Sequence, residues 1–176
     1  MHFGESLIFA IEAYHEPAGS EWVGYGRMAL NIGGIRLGDI GERHCSLFDA
    51  VDRFREVYPR IDSLWSEAFD GLSDREMFDL IDAYYSGKPC EADLRRFDFL
   101  TNTGEQFDDV KTFIICRPSG RVCILYEFRD GSFGSASCPI ASFREVAKEF
   151  VDWFEGLVSS SVLGDKTYAQ SLSGKL

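Results

Sequence analysis

The sequence predicts an α+β domain with an antiparallel β-sheet. The sheet forms two three-stranded meanders covered by three or more helices, in the order β-β-β-α-α-β-β-β-α. Three observations carry this prediction. Apolar, β-rich runs are joined by short turn signals at Gly33-Gly34 and Ser119-Gly120, as in hairpins. Elsewhere, apolar residues recur at helical spacing. Hydrophobic residues make up 45% and aromatics 14% of the 176 residues, enough to build one core and incompatible with a disordered chain.

The elements follow in order. Leu7–Ala13 reads as a strand, and His15-Glu16-Pro17-Ala18-Gly19-Ser20 as a loop. Trp22 to Ile32, with Val23, Tyr25, Met28, Leu30 and Ile32, reads as a second strand, and Gly33-Gly34 turns it into Ile35–Ile40. Ser46 is the expected N-cap of the first helix, with Asp49 three residues on. Leu47, Phe48, Val51, Phe54 and Val57 lie along that helix, and Pro59 closes the segment. Trp65–Leu72 is ambiguous. A second helix starts at Ser73 or Asp74, carries Met77, Phe78, Ile81, Tyr84 and Tyr85, and stops at Gly87-Lys88-Pro89.

Residues 89–109 read as irregular and acidic. Lys111–Cys116 and Val122–Phe128 then form a hairpin, Asp130-Gly131 a turn, and Ser132–Ser137 a third strand. Pro139 leads into a long helix containing Ile140, Phe143, Val146, Phe150, Val151, Phe154 and Leu157. Both halves therefore read β-β-β-α, although the identity between them is too low to establish a repeat. The expected organisation is a single domain over 1–158, with an acidic helical insert at about 62–109 and a flexible Ser/Gly-rich tail at 159–176.

The formal net charge is −11. It is unevenly placed: residues 62–109 hold thirteen acids and four bases, a net of −9. Such a chain repels phosphate backbones and anionic lipid, so neither nucleic acid nor a membrane is an expected partner. A basic protein is. Carboxylates alternate with large aromatics here, and Trp65, Glu67, Asp70, Asp74, Glu76, Asp79, Asp82, Tyr85, Glu91 and Asp93 are the candidate partner-binding residues. The competing reading is that the aromatics belong to the core and the acids keep the opposite helix face soluble.

No signal peptide, apolar span of about 20 residues or lipidation motif is evident, so a cytoplasmic location is expected. The five cysteines, Cys45, Cys90, Cys116, Cys123 and Cys138, contain no C-x-x-C pair. Were Ser119-Gly120 a two-residue loop, Cys116 and Cys123 would lie directly opposite. In a reducing compartment two buried thiols are expected rather than a disulfide.

Of the three histidines, His44 adjoins Cys45, but neighbouring side chains diverge and make a poor catalytic pair. The glycines match no phosphate-binding pattern. Asp108-Asp109 and the i, i+3 pair Asp79 and Asp82 are the nearest approaches to a metal site, and neither is completed. No catalytic, cofactor-binding or metal-ligating residue is assigned, and no enzyme activity is expected.

Phe9-Ala10-Ile11-Glu12, then Trp22 with Gly24 and Gly26, then Leu30-Asn31-Ile32-Gly33-Gly34 with Leu37-Gly38-Asp39, then Ser46-Leu47-Phe48-Asp49 opening a helix, occur in that order. This arrangement resembles immunity protein family 42, one of the bacterial families associated with polymorphic and contact-dependent toxins. The similarity is best over residues 3–60 and weaker over 105–155. The resemblance implies a small protein that binds and blocks a cognate toxin's C-terminal domain, with no chemistry of its own. Combined with the acidity, it implies a basic, nuclease-type toxin. The alternatives are a small acidic regulatory domain recognising another basic protein or a small ligand, and a hydrolase using carboxylates.

Overall fold

A computed structural model describes residues 1–16, 24–43, 45–87, 93–101 and 103–173, the last thirteen by backbone alone. Two antiparallel sheets and three α-helices make up the fold. The first sheet contains β1 (His2–Glu5), β2 (Phe9–His15), β3 (Tyr25–Ile32) and β4 (Ile35–Leu37) in sequence order. The two-residue β5 (Cys45–Ser46) pairs with the start of β3. The second sheet is a three-stranded meander of β6 (Val110–Arg117), β7 (Arg121–Phe128) and β8 (Phe133–Pro139). The helices are α1 (Phe48–Val57), α2 (Asp74–Tyr85) and α3 (Ile140–Ser173).

The first sheet thus has five strands where the hairpin signals announce three. Four-residue β1 pairs with β2 in the register Phe3↔Ile11, and Leu7 and Ile8 lie in the turn between them, Leu7 83% exposed. Ser46 is also not the α1 N-cap. It is paired with Tyr25, and Leu47 takes the cap position without a side-chain hydrogen bond. Tertiary strand pairing has overridden a local capping preference.

Alternation explains which faces meet. Phe9, Ile11 and Ala13 of β2 lie on the same face as Met28, Leu30 and Ile32 opposite them, and all six are buried. This face receives α3, where Phe9 meets Phe143 at 5.0 Å between ring centroids and Phe3 meets Phe150 at 6.0 Å. The other face is polar: Arg36 and Asn31 both donate to Glu12. One dry face and one wet face are usual for an antiparallel sheet.

The second sheet is covered on both sides. Lys111, Phe113 and Arg117 face α2, while Thr112 and Cys116 face the opposite way. Residues from both sheets and all three helices belong to one apolar cluster. The segment 62–109 contributes to it through Phe69, Met77, Phe78, Ile81, Phe97, Phe99 and Phe107. Thr112 fastens this segment to β6, accepting from the Leu100 amide at 3.0 Å and donating its own amide to Thr101 Oγ1 at 3.0 Å.

The β6–β7 turn corrects the two-residue loop. Arg117 pairs with Arg121, so the loop has three residues, and Gly120 takes φ +76°, the left-handed position that ends such loops. Cys116 is therefore opposite Val122, and Cys123 opposite Ile115. The two thiols lie on opposite faces of the sheet and cannot bond without breaking the register. All four described cysteines are free. Non-reducing peptide mapping after mild oxidation is expected to yield no Cys116–Cys123 cross-linked peptide; its recovery would contradict this register.

Candidate functional site

The helix α2 begins with a complete capping box. Ser73 Oγ accepts from the Glu76 amide, and the Glu76 carboxylate accepts from the Ser73 amide at 2.8 Å. These bonds from the Ser73 side chain and backbone hold the Glu76 carboxyl below its usual range. Met77, Phe78 and Ile81 on the inner face are buried, which leaves the candidate acids on the flanks and the outer face.

The acids differ in what they do. Asp74 is ion-paired with Arg117 of β6 and accepts from Ser135 Oγ of β8 at 2.5 Å. Asp82 is ion-paired with Lys111 at 2.6 Å. Together they tie the two ends of α2 to the second sheet. Asp79 is ion-paired with Arg75 one turn back at 2.8 Å, and Arg75 also reaches Glu127 at 2.7 Å. These two carboxylates raise the affinity of Arg75 for its proton.

Trp65 and Asp70 form a local unit around the 3-10 turn Glu67–Phe69, where Trp65 Nε1 donates to Asp70 at 3.2 Å and the Trp65 ring packs on Phe69 at 5.5 Å. Glu67 is exposed and makes no ion pair among the described residues. Tyr85 is 46% exposed, yet its ring stacks on Phe113 at 5.9 Å and its hydroxyl donates to the Arg95 carbonyl at 2.8 Å. Burial, with the nearby Asp98 carboxylate, pushes its phenol up to about 12. Asp93 bonds the Arg95 side chain at 3.2 Å and accepts from Tyr84 at 3.4 Å, and its bonds to Arg95 hold its carboxyl low. Glu91 lies outside the described residues.

The candidate residues therefore do not converge on one spot. Trp65 and Tyr85 have packing duties, Asp74 and Asp82 have structural partners, and Glu67 and Asp79 lie on the outer surface.

A second acidic feature escapes a window-by-window reading. A groove of about 670 Å³ opens between the segment after β4 and the 3-10 turn Glu105–Phe107 that leads into β6. Asp39 and Glu42 line one side, and Glu105, Asp108 and Asp109 the other, with Val110 and Phe128 supplying an apolar wall. The Asp39 amide donates to the Gln106 carbonyl at 2.8 Å and joins the two sides. Gly38 has φ +90°, and a Cβ there would lie 2.6 Å from the Phe107 ring, so a larger residue would force the sides apart.

Few cations answer this charge. Arg36 lines the groove but is ion-paired with Glu12 at 2.9 Å, and Arg129 meets Asp109 at 3.4 Å with both side chains 81% exposed. Among the described residues, Glu42, Glu105 and Asp108 have no cationic partner. Gln106 lines the groove while only 2% exposed, and both its Oε1 and Nε2 are buried without a hydrogen-bond partner. Behind it, burial first and then the Glu105 and Glu42 charges push the Cys45 thiol up.

The described residues offer little for covalent or metal chemistry. Burial raises the pKa of Cys45, Cys116, Cys123 and Cys138, the last to about 12, which keeps all four as thiols rather than nucleophilic thiolates. No group of three or more His, Cys, Asp or Glu among them is placed to hold a metal ion. No described helix is long and apolar enough to cross a membrane.

The family model described as immunity protein 42 matches residues 1–153. The match takes in the first sheet, α1, the acidic segment, the second sheet and α3 to Trp153. No match is found among curated proteins or among solved structures.

Proposed function

The chain belongs to the immunity protein 42 family, and we propose that it binds and neutralises one cognate toxin domain by covering it, without chemistry of its own. The partner is the C-terminal domain of a polymorphic toxin, and the encounter takes place in the cytoplasm. The observation that supports this reading most directly is the family match over residues 1–153, joined to the net charge of −9 carried by residues 62–109. A nuclease domain is basic because it must hold phosphates, and an acidic surface competes for the same cations. The surface proposed to meet it comprises Trp65, Glu67, Asp70, Asp74, Glu76, Asp79, Asp82, Tyr85, Glu91 and Asp93. Of these, Glu67 and Asp79 are the best placed to act at long range, since each is exposed and outside the contacts between α2 and the sheet.

The test is co-expression with the toxin domain encoded beside its gene. Restored growth and a stable complex on co-purification are the expected results. Unrelieved toxicity together with failure to co-purify would end the proposal.

A further inference from the structure

The acidic groove between Asp39–Glu42 and Glu105–Val110 belongs half to the acidic segment and its junction with β6, and half to the segment that follows β4. Its volume of about 670 Å³ is that of a site for a short segment of chain rather than for a lone ion. Three of its carboxylates, Glu42, Glu105 and Asp108, have no cationic partner among the described residues. Acidity alone would make only a solvated rim.

Gln106 adds an independent reason to expect an occupant. A buried amide lacking both a donor and an acceptor partner costs about 1–3 kcal/mol for each orphaned group, and native proteins rarely tolerate one without cause. Gln106 lines the groove, but its amide is closed to solvent, so an entering group supplies what the fold withholds only once that side chain turns outward.

We infer that this groove is the docking site for an arginine-bearing segment of the partner. A guanidinium presents several donors in a rigid fork, which suits carboxylates on two sides of a groove together with an amide oxygen. Its aliphatic stem lies along Val110 and Phe128, where an apolar wall accepts it. The Gln106 Nε2 group then donates to a backbone carbonyl of the same segment. A lysine presents a strongly hydrated point charge and makes poorer use of this arrangement. The identity of the partner as a toxin domain rests on the function proposed above; the groove's preference for arginine does not.

The experiment uses the full chain and two arms. In the first, a hexa-arginine peptide is titrated in and followed by amide NMR, with hexalysine as the comparison. Shifts centred on residues 38–42 and 104–110 are expected, with weaker binding of hexalysine. The triple variant E42Q/E105Q/D108N, at exposed positions, is expected to weaken binding by at least about tenfold. The variant Gln106→Met is expected to bind the peptide more weakly while melting no lower than the parent chain, because removing an unsatisfied buried amide relieves the fold. A purely structural Gln106 would lower the melting temperature and leave binding alone. Shifts spread over every acidic surface, or a triple variant that titrates like the parent, would overturn the inference.

In the second arm, the co-expressed toxin domain is captured with the parent chain and with the triple variant. Capture by the parent and loss by the variant support both proposals. Equal capture by both overturns the groove and leaves the immunity function standing. Capture by neither removes the immunity function, and the peptide arm then decides the groove by itself.

Discussion

Replacing Phe54 by alanine is expected to cost about 3–5 kcal/mol, the range for removing a fully buried phenylalanine. Phe54 is 0% exposed and lies where three parts of the chain meet. From α1 its ring contacts Phe99 of the acidic segment at 5.2 Å, and Phe143 and Phe150 of α3 at 6.2 and 5.4 Å. The cavity cannot collapse easily, because Phe99 is held by the acidic segment and the two α3 rings by neighbours of their own, Phe9 for Phe143 and Phe3 for Phe150. A domain of this size has only about 5–15 kcal/mol of stability in total. Thermal unfolding should therefore show a fall of roughly 6–20 °C. A loss below about 1 kcal/mol would mean that the acidic segment and α3 are not joined through this ring.

The positions of elements with their own local signals were legible in the chain. The Gly33-Gly34 hairpin, the second meander and the starts of α2 and α3 follow from turn residues, alternation and helical spacing. What local signals miss is pairing at a distance. β1 has one inward apolar residue, Phe3, and gains its identity only from β2. β5 has two residues and exists because β3 extends beyond β4. The charge of the acidic segment was legible as a sum and misleading as a map. Asp62, Asp74, Asp82, Asp98 and Asp109 are ion-paired with Arg144, Arg117, Lys111, Arg53 and Arg129, all from outside residues 62–109. A window total counts those five as available to a partner. Conversely, Asp39 and Glu42 lie in a nearly balanced stretch and join the groove only through the fold. The pair Asp108-Asp109, legible as a weak metal motif, finds its place there as part of an acidic wall.

Reversing Glu67 and Asp79 to lysine is expected to slow association with a basic toxin domain by about tenfold at low salt and to flatten its salt dependence. The choice of residues follows from the ion pairs. Reversing Asp74 or Asp82 would set a lysine against Arg117 or Lys111 and remove the bonds that tie α2 to the second sheet, so slower binding could come from a weakened fold. Glu67 and Asp79 reduce that difficulty: Glu67 has no ion pair among the described residues, and Asp79 engages only Arg75, which keeps Glu127 of β7 as its second carboxylate. Their double variant should melt close to the parent chain. The two acidic features then divide the work of binding. Charges on the exposed rim govern how fast partners meet, while desolvated contacts in a groove govern how long they stay. Stopped-flow association at two salt concentrations separates these roles: E67K/D79K should alter the on-rate and its salt slope, and E42Q/E105Q/D108N chiefly the off-rate. An on-rate and salt slope unchanged in E67K/D79K would remove the outer face of α2 from the interface. The groove, which opens beside Val110, one residue before the Lys111 that Asp82 holds, would then be left as the place where the toxin is gripped.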